Sequence, residues 1–425
     1  MAVGLACLFL LTGFAINLPV FLSVIGAILT YFFIAGDASP IIAAQRIIGA
    51  SENVTLLAIP FFIFLGNLLN YTGITRRMLN LAEVLTGHFK GGLAQSNVLV
   101  SILMGGLSAS NLADCAMLCK MLVPEMVKLG YGKAFSTAVT AAGSLITPII
   151  PPGIALIIYG YVADVSIGKM FMAGVVPGIL CCILLMIAIY FVARTRNYKP
   201  VRTHDPTWSE FWVALKGASG ALVLVVVIIG GIRIGAFTPT EAGAMAVLYV
   251  IFIGTFVYKE MKFEHIKLSL LETARATAGV MLIIMACSAF AWILTWEQLA
   301  QDVAQIITGF STNPVTFLLV LNAFLLILGM FIEGNAAIIV LVPLLMPTVR
   351  LLGIDPIHFG LIIILNLAIG CLTPPMGTVM FIANSITGTK VGEFCREGFP
   401  LFIALLVALM MVTFIPSLST WLPNL

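Results

Sequence analysis

Charge is what this chain has least of. Lysine, arginine, aspartate and glutamate make up 9% of its 425 residues while 61% are hydrophobic, whereas a soluble globule carries about a quarter of its residues as charges. A water-soluble domain is excluded, and a polytopic helical membrane protein fits. The formal net charge of +3 is too small to draw nucleic acid, so no such partner is expected and charge acts by placement. Histidine occurs four times, and never as His-Glu-x-x-His. The eight cysteines (Cys7, Cys115, Cys119, Cys181, Cys182, Cys287, Cys371 and Cys395) lie singly or adjacent in apolar runs without zinc, haem or redox spacing. They read as small core residues. Gly106-Leu-Ser-Ala-Ser110 lacks the closing glycine of a nucleophile elbow. Neither an enzyme nor an organic cofactor is expected. The N-terminus has no basic leader or cleavage site and reads as a retained membrane segment.

What stands out instead is two polar stretches inside apolar runs: residues 105–114, GGLSASNLAD, and residues 329–335, GMFIEGN. Bare backbone at membrane depth is costly unless something polar meets it, so these tips point to a binding site. Each belongs to a hairpin, residues 96–129 and 314–352. Each is followed by a helix that prolines must break: residues 134–162, interrupted by TPIIPPG at 147–153, and residues 358–386, interrupted by TPPMGT at 373–378. Residues 72–90 alternate charged and apolar side chains as an interfacial arm helix would, and residues 297–309 form a second arm. Residues 2–33 read as two short helices or one broken one, residues 39–53 as a connector, and spans are expected at 56–69, 167–193, 215–232, 240–258, 274–295 and 399–422.

The order repeats. Pro124 and Pro347, Pro151 and Pro374, Pro152 and Pro375, Pro177 and Pro400, and Gly130 and Gly353 all stand 223 residues apart. An internal duplication follows, residues 1–200 and 214–425 joined by a connector at 201–213. The first arm carries Arg76, Arg77 and Lys90, whereas the second carries Glu297 and Asp302 and no basic residue. By the positive-inside rule the repeats are therefore inverted, with basic loops 194–202 and 259–267 cytoplasmic and the C-terminus outside. Arg46, Lys169, Arg233 and Arg350 run against this orientation.

Two hairpins and two broken helices place four discontinuities near the midplane. Half-helix N-termini offer N–H groups and a positive dipole end to an anion, and freed carbonyls suit a small hard cation such as Na⁺. Single Ser or Gly residues there also read as helix packing. Asp114 and Glu333 read either as carboxylates serving a cation, a proton or a buried partner, or as caps on N-terminal N–H groups. A proton-coupled carrier stays open. So does an ATP-driven permease subunit, because Glu241-Ala-Gly243 faintly resembles a coupling loop, although the hairpin repeat argues against it.

The runs LSASNLAD at 107–114, TPIIPPG at 147–153, FTPTEAG at 237–243 and LTPPMG at 372–377 resemble the large membrane subunit (DctM type) of tripartite ATP-independent periplasmic (TRAP) transporters, over nearly the whole chain. The resemblance implies an all-α elevator-type secondary transporter of the bacterial inner membrane. It implies Na⁺ as coupling ion, a small four-helix membrane subunit, a periplasmic substrate-binding protein and an organic acid as cargo, sialic acid or a C4-dicarboxylate. On this reading Ser108, Ser110, Asp114, Gly153, Glu333 and Thr378 contact substrate. Gly106, Ser108, Asn111, Thr147, Pro151, Gly334, Asn335, Thr373, Pro374 and Gly377 contact Na⁺. Glu333 stands where many relatives are expected to carry Asp.

Overall fold

Proline sets the joints of this fold. The computed structural model describes residues 2–16, 18–35, 39–105, 110–202, 204–299, 301, 302, 305 and 313–425, and among them there are helices and turns but no strand. The first half contains α1 (Ala2–Ala15), α2 (Val20–Ala35), α3 (Pro40–Ser51), α4 (Ala58–Leu69), α5 (Ile74–Thr86), α6 (Gly92–Gly105), α7 (Asn111–Lys128), α8 (Lys133–Ser144), α9 (Ile154–Val162) and α10 (Ile167–Thr195). The second contains α11 (Trp208–Arg233), α12 (Pro239–Phe252), α13 (Phe263–Trp296), α14 (Pro314–Gly329), α15 (Gly334–Leu351), α16 (Pro356–Gly370), α17 (Thr378–Thr387) and α18 (Val391–Phe414). Helices α3, α12, α14 and α16 open on proline, where the missing N–H would have had no partner anyway.

Among the described residues, six helices are long and apolar enough to cross a bilayer, and α3 with Val54–Leu69 makes a seventh span bent by 49°. The chain is an all-α polytopic membrane protein. Helix α6 has 14 residues, a rise of about 21 Å against a hydrocarbon core of about 30 Å. It turns back through α7 as one hairpin, and α14 and α15 form the other. Between α8 and α9, and between α16 and α17, the chain leaves the helix at proline; Pro151–Pro152 and Pro374–Pro375 are both cis.

Helix starts repeat the spacing of the prolines. Asn111 and Gly334, Lys133 and Pro356, and Pro40 and Phe263 open α7 and α15, α8 and α16, and α3 and α13, each pair 223 residues apart. Thus α3, its bend and α4 together correspond to the single helix α13. At the bend, the Asn53 side chain takes the Thr55 N–H at 2.9 Å, a local bond that competes with the helix. Ala276 stands at the matching position in α13 and favours continuation. The halves interlock: α7 packs on α17 and α15 on α9, α8 on α18 and α16 on α10, α4 on α12 and α2 on α13.

Several boundaries differ from the sequence reading. The 39–53 connector is largely α3, because Ser39 caps it and Pro40 starts it. The span at 56–69 is therefore the second limb of a bent one. The 201–213 connector ends early, since Thr207 and Glu210 form a capping box that opens α11 at Trp208. Helix α13 reaches back to Phe263 through charges that read as loop. The second arm falls largely on residues outside those described; of its start, Glu297 accepts a 2.6 Å hydrogen bond from the Tyr31 hydroxyl.

Candidate functional site

The two hairpin tips open into one cavity. Ser110 is the N-cap of α7, its Oγ accepting the Ala113 N–H at 3.3 Å. Glu333 is the N-cap of α15, its Oε2 accepting the Ala336 N–H at 3.0 Å. Ser110 and Glu333 are again 223 residues apart, so one capping position in each repeat meets the same space. The cavity, about 370 Å³, is lined by Ser110 and Asn111 from the first tip, by Glu333, Gly334 and Asn335 from the second, and by Pro148, Cys371 and Thr378 from the broken helices. That volume lies at the lower end of the range of about 300–1,000 Å³ for small-molecule sites.

Six expected site residues, Ser110, Asn111, Glu333, Gly334, Asn335 and Thr378, line this cavity together. Gly106 and Ser108 lie outside the described residues. Asp114 does not line it. It is buried within the first turn of α7 and accepts a 2.8 Å hydrogen bond from Thr147 Oγ1, tying the first tip to the first break. The matching positions in the second repeat are Ala337 and Gly370, and there the tie is close packing: a Cβ on Gly370 would stand 2.6 Å from Gly329 Cα.

Gly153 and Gly377 do not line the cavity, although the next residues, Ile154 and Thr378, do, and they show where carbonyls crowd. A Cβ on Gly153 would meet the Pro148 oxygen at 2.6 Å and the Ile150 oxygen at 3.3 Å. One on Gly377 would meet the Cys371 oxygen at 2.6 Å and the Thr373 oxygen at 2.8 Å. Pro148 and Cys371, like Ile150 and Thr373, are again 223 residues apart, so equivalent carbonyls converge in both repeats. Pro151 is buried in the first break, Pro374 is half-buried in the second, and Thr373 Oγ1 donates to the Ile369 carbonyl at 2.8 Å. No group of three or more His, Cys, Asp or Glu side chains gathers among the described residues. The oxygens at hand are carbonyls, hydroxyls, amides and the carboxylates of Glu272 and Glu333, donors suited to a hard cation.

Sequence reading missed the wall contributed by α4 and α13. Asn67, Asn70 and Glu272 line the cavity, and Asn67 Nδ2 donates to Thr273 Oγ1 at 3.0 Å, joining the two helices. The available signal was Glu272 itself, an ionisable residue on a helix whose next twenty residues are largely apolar.

A family model described as "Tripartite ATP-independent periplasmic transporter, DctM component" matches residues 4–418. The chain belongs to this family. The sialic acid TRAP transporter large permease protein SiaM of Vibrio cholerae is 40% identical over 96% of this chain and 95% of its own length. The C4-dicarboxylate TRAP transporter large permease protein DctM of Pseudomonas aeruginosa is 40% identical over 90% and 89%, and the 2,3-diketo-L-gulonate TRAP transporter large permease protein YiaN of Escherichia coli is 36% identical over 96% of each. Among solved structures, the YdaH transporter of Alcanivorax borkumensis matches with a TM-score of 0.62 over 92% of this chain and 90% of that one, at 14% identity. At that identity the likeness concerns the fold alone. The FTPTEAG run of this DctM chain has a structural role: Thr238 and Glu241 cap each other at the start of α12, with Thr238 N–H to Glu241 Oε2 at 2.8 Å and Glu241 N–H to Thr238 Oγ1 at 3.3 Å.

Proposed function

We propose that this DctM chain is the large membrane subunit of a secondary carrier that takes an organic acid anion, sialic acid or a C4-dicarboxylate, across the bacterial inner membrane with Na⁺. A small four-helix membrane subunit and a periplasmic substrate-binding protein complete the system. The observation that carries the reading is the single cavity onto which both hairpin N-caps open. An 18-residue helix such as α7 carries roughly half a positive charge at its N-terminus. Ser110 adds no negative charge at the cap, and the first-turn carboxylate, Asp114, is bonded to Thr147 and does not line the cavity. The anion's carboxylate sits there, on N–H groups, Ser110 and Thr378. At the second tip the Glu333 carboxylate outweighs the dipole, so that side favours a cation. Asn335, Gly334 and the convergent carbonyls of Pro148, Ile150, Cys371 and Thr373 fit Na⁺ in donor type.

The elevator motion is supported by the interlocking. Hairpin helices α7 and α15 pack on half-helices α17 and α9 of the opposite repeat, so tips and breaks move together, while α2, α4, α12 and α13 pack among themselves as the frame. In this orientation loops 194–202 and 259–267 face the cytoplasm and the C-terminus faces the periplasm. The bilayer surrounds the apolar outer faces.

Uptake of labelled sialic acid into proteoliposomes holding all three components, under a Na⁺ gradient without ATP, tests the reading. Uptake abolished when K⁺ replaces Na⁺ is expected. Uptake that ignores Na⁺ and follows a pH gradient would replace Na⁺ by H⁺, and dependence on ATP would overturn secondary transport.

A further inference from the structure

Two carboxylates, Glu272 and Glu333, line the cavity, and no Lys, Arg or His does so among the described residues. None of the ion pairs among the described residues includes either glutamate. Beside Glu272, the polar side chains that α4 and its C-cap bring to the cavity are the amides Asn67 and Asn70. Asn67 has its Nδ2 engaged by Thr273, whose own hydroxyl donates to the Ser269 carbonyl at 2.7 Å. Its Oδ1 is thereby the group left for a ligand. Asn70, the C-cap of α4, stands three residues further on, and Glu272 lies on the neighbouring helix.

We propose that Glu272, with Asn67 and Asn70, is the specificity wall of this site. It accepts hydrogen bonds from ligand hydroxyls, so the cavity takes a hydroxyl-rich acid with one carboxylate, a sugar acid, in preference to a compact dicarboxylate. The proposal rests on the carrier reading above. One carboxylate is served by the α7 N-terminus. A second carboxylate would meet Glu333 at the α15 N-terminus and Glu272 on α13, two like charges in a space whose other walls include Ile63, Ile338, Ile364 and Leu367. A coupling cation beside Glu333 offsets one of these and leaves the other. Hydroxyl groups, in contrast, are the donors that carboxylate and amide oxygens lack.

The test is equilibrium binding of labelled N-acetylneuraminate and labelled succinate to the chain with its small subunit in nanodiscs, in Na⁺. The wild type is expected to favour the sugar acid by about tenfold or more, Glu272→Ala to weaken it about tenfold, and Glu272→Gln to narrow the gap by improving succinate binding. Retained Na⁺-dependent thermal stabilisation in each variant reports an intact fold. Equal or tighter succinate binding by the wild type, or variants that match it, would overturn the specificity wall. Repeating the series in K⁺ keeps the two readings apart. A sugar-acid affinity unchanged by the exchange contradicts Na⁺ coupling, a preference for the sugar acid in either ion supports the wall, and failure to bind either acid in Na⁺ overturns both.

Discussion

Ser110 and Glu333 cap equivalent helices with side chains of unlike charge. Both satisfy an N–H three residues on, Ala113 and Ala336; one does so with a neutral hydroxyl and the other with a carboxylate. The same divergence appears one turn deeper, where Asp114 and Thr147 share a buried hydrogen bond in the first repeat and Ala337 and Gly370 stand in the second. A duplicated backbone thus supplies two helix N-termini, and side chains decide which one an anion can use. Symmetry builds the cavity; its breaking gives the cavity a direction.

The strongest way to break this comparison is at the buried pair. Asp114→Ala leaves the Thr147 hydroxyl buried without its charged partner, a loss of about 2 kcal/mol, and uptake per folded transporter is expected to fall by at least about tenfold. Asp114→Asn, which keeps an acceptor for Thr147, restores most of the stability; if it also restores uptake, the bond rather than the charge is what the first tip needs. Gly370→Ala comes next. Its Cβ would stand 2.6 Å from the backbone of Gly329, and overpacking of this kind costs about 1–3 kcal/mol, read as a lower melting temperature in detergent. Gly105→Ala probes the first tip against Thr147, the residue that matches Gly370; its nearest approach is 3.1 Å to Thr147 Cα, and it is expected to cost less. A reversed order would mean that the first tip is the tighter joint.

How much of this the chain announces in advance depends on what kind of signal each element leaves. The hairpins and breaks were legible because proline and glycine punctuate an otherwise apolar sequence, and the 223-residue spacing doubles each sign. Helix α3 was hidden because Arg46 and Glu52 dilute its hydropathy, while its Ser39 cap and Pro40 start are what fix it. Glu272 was hidden for the same reason: it lies with Lys267 and Arg275 on the first turns of α13, where charge density reads as loop. Asn67 carries no pattern at all. Its place on the wall follows from α4 packing on α13, a tertiary fact that periodicity does not contain. Six tip and break residues were legible as cavity lining, whereas Asp114 and Thr147 were legible as polar residues but not as each other's partner.

Smaller effects sharpen the comparison at the frame. The first arm is held by Arg77, which pairs with Glu260 at 2.8 Å and lies 3.9 Å over the Tyr258 ring. The start of the second is held by the Tyr31–Glu297 hydrogen bond. Arg77 and Glu260 are partly exposed, so Arg77→Ala is expected to cost about 0.5 kcal/mol and to leave sugar-acid selectivity unchanged. A large transport defect with normal stability would show that the arm does more than anchor the frame.

The unequal tips are tested most directly by one pair of titrations: uptake measured against Na⁺ at saturating substrate, and against substrate at saturating Na⁺, in Ser110→Ala and Glu333→Gln. The account predicts that Ser110→Ala raises the substrate KM with the Na⁺ half-saturation unchanged, and that Glu333→Gln raises the Na⁺ half-saturation with the substrate KM unchanged. The opposite assignment, or equal effects of both variants on both curves, would contradict it.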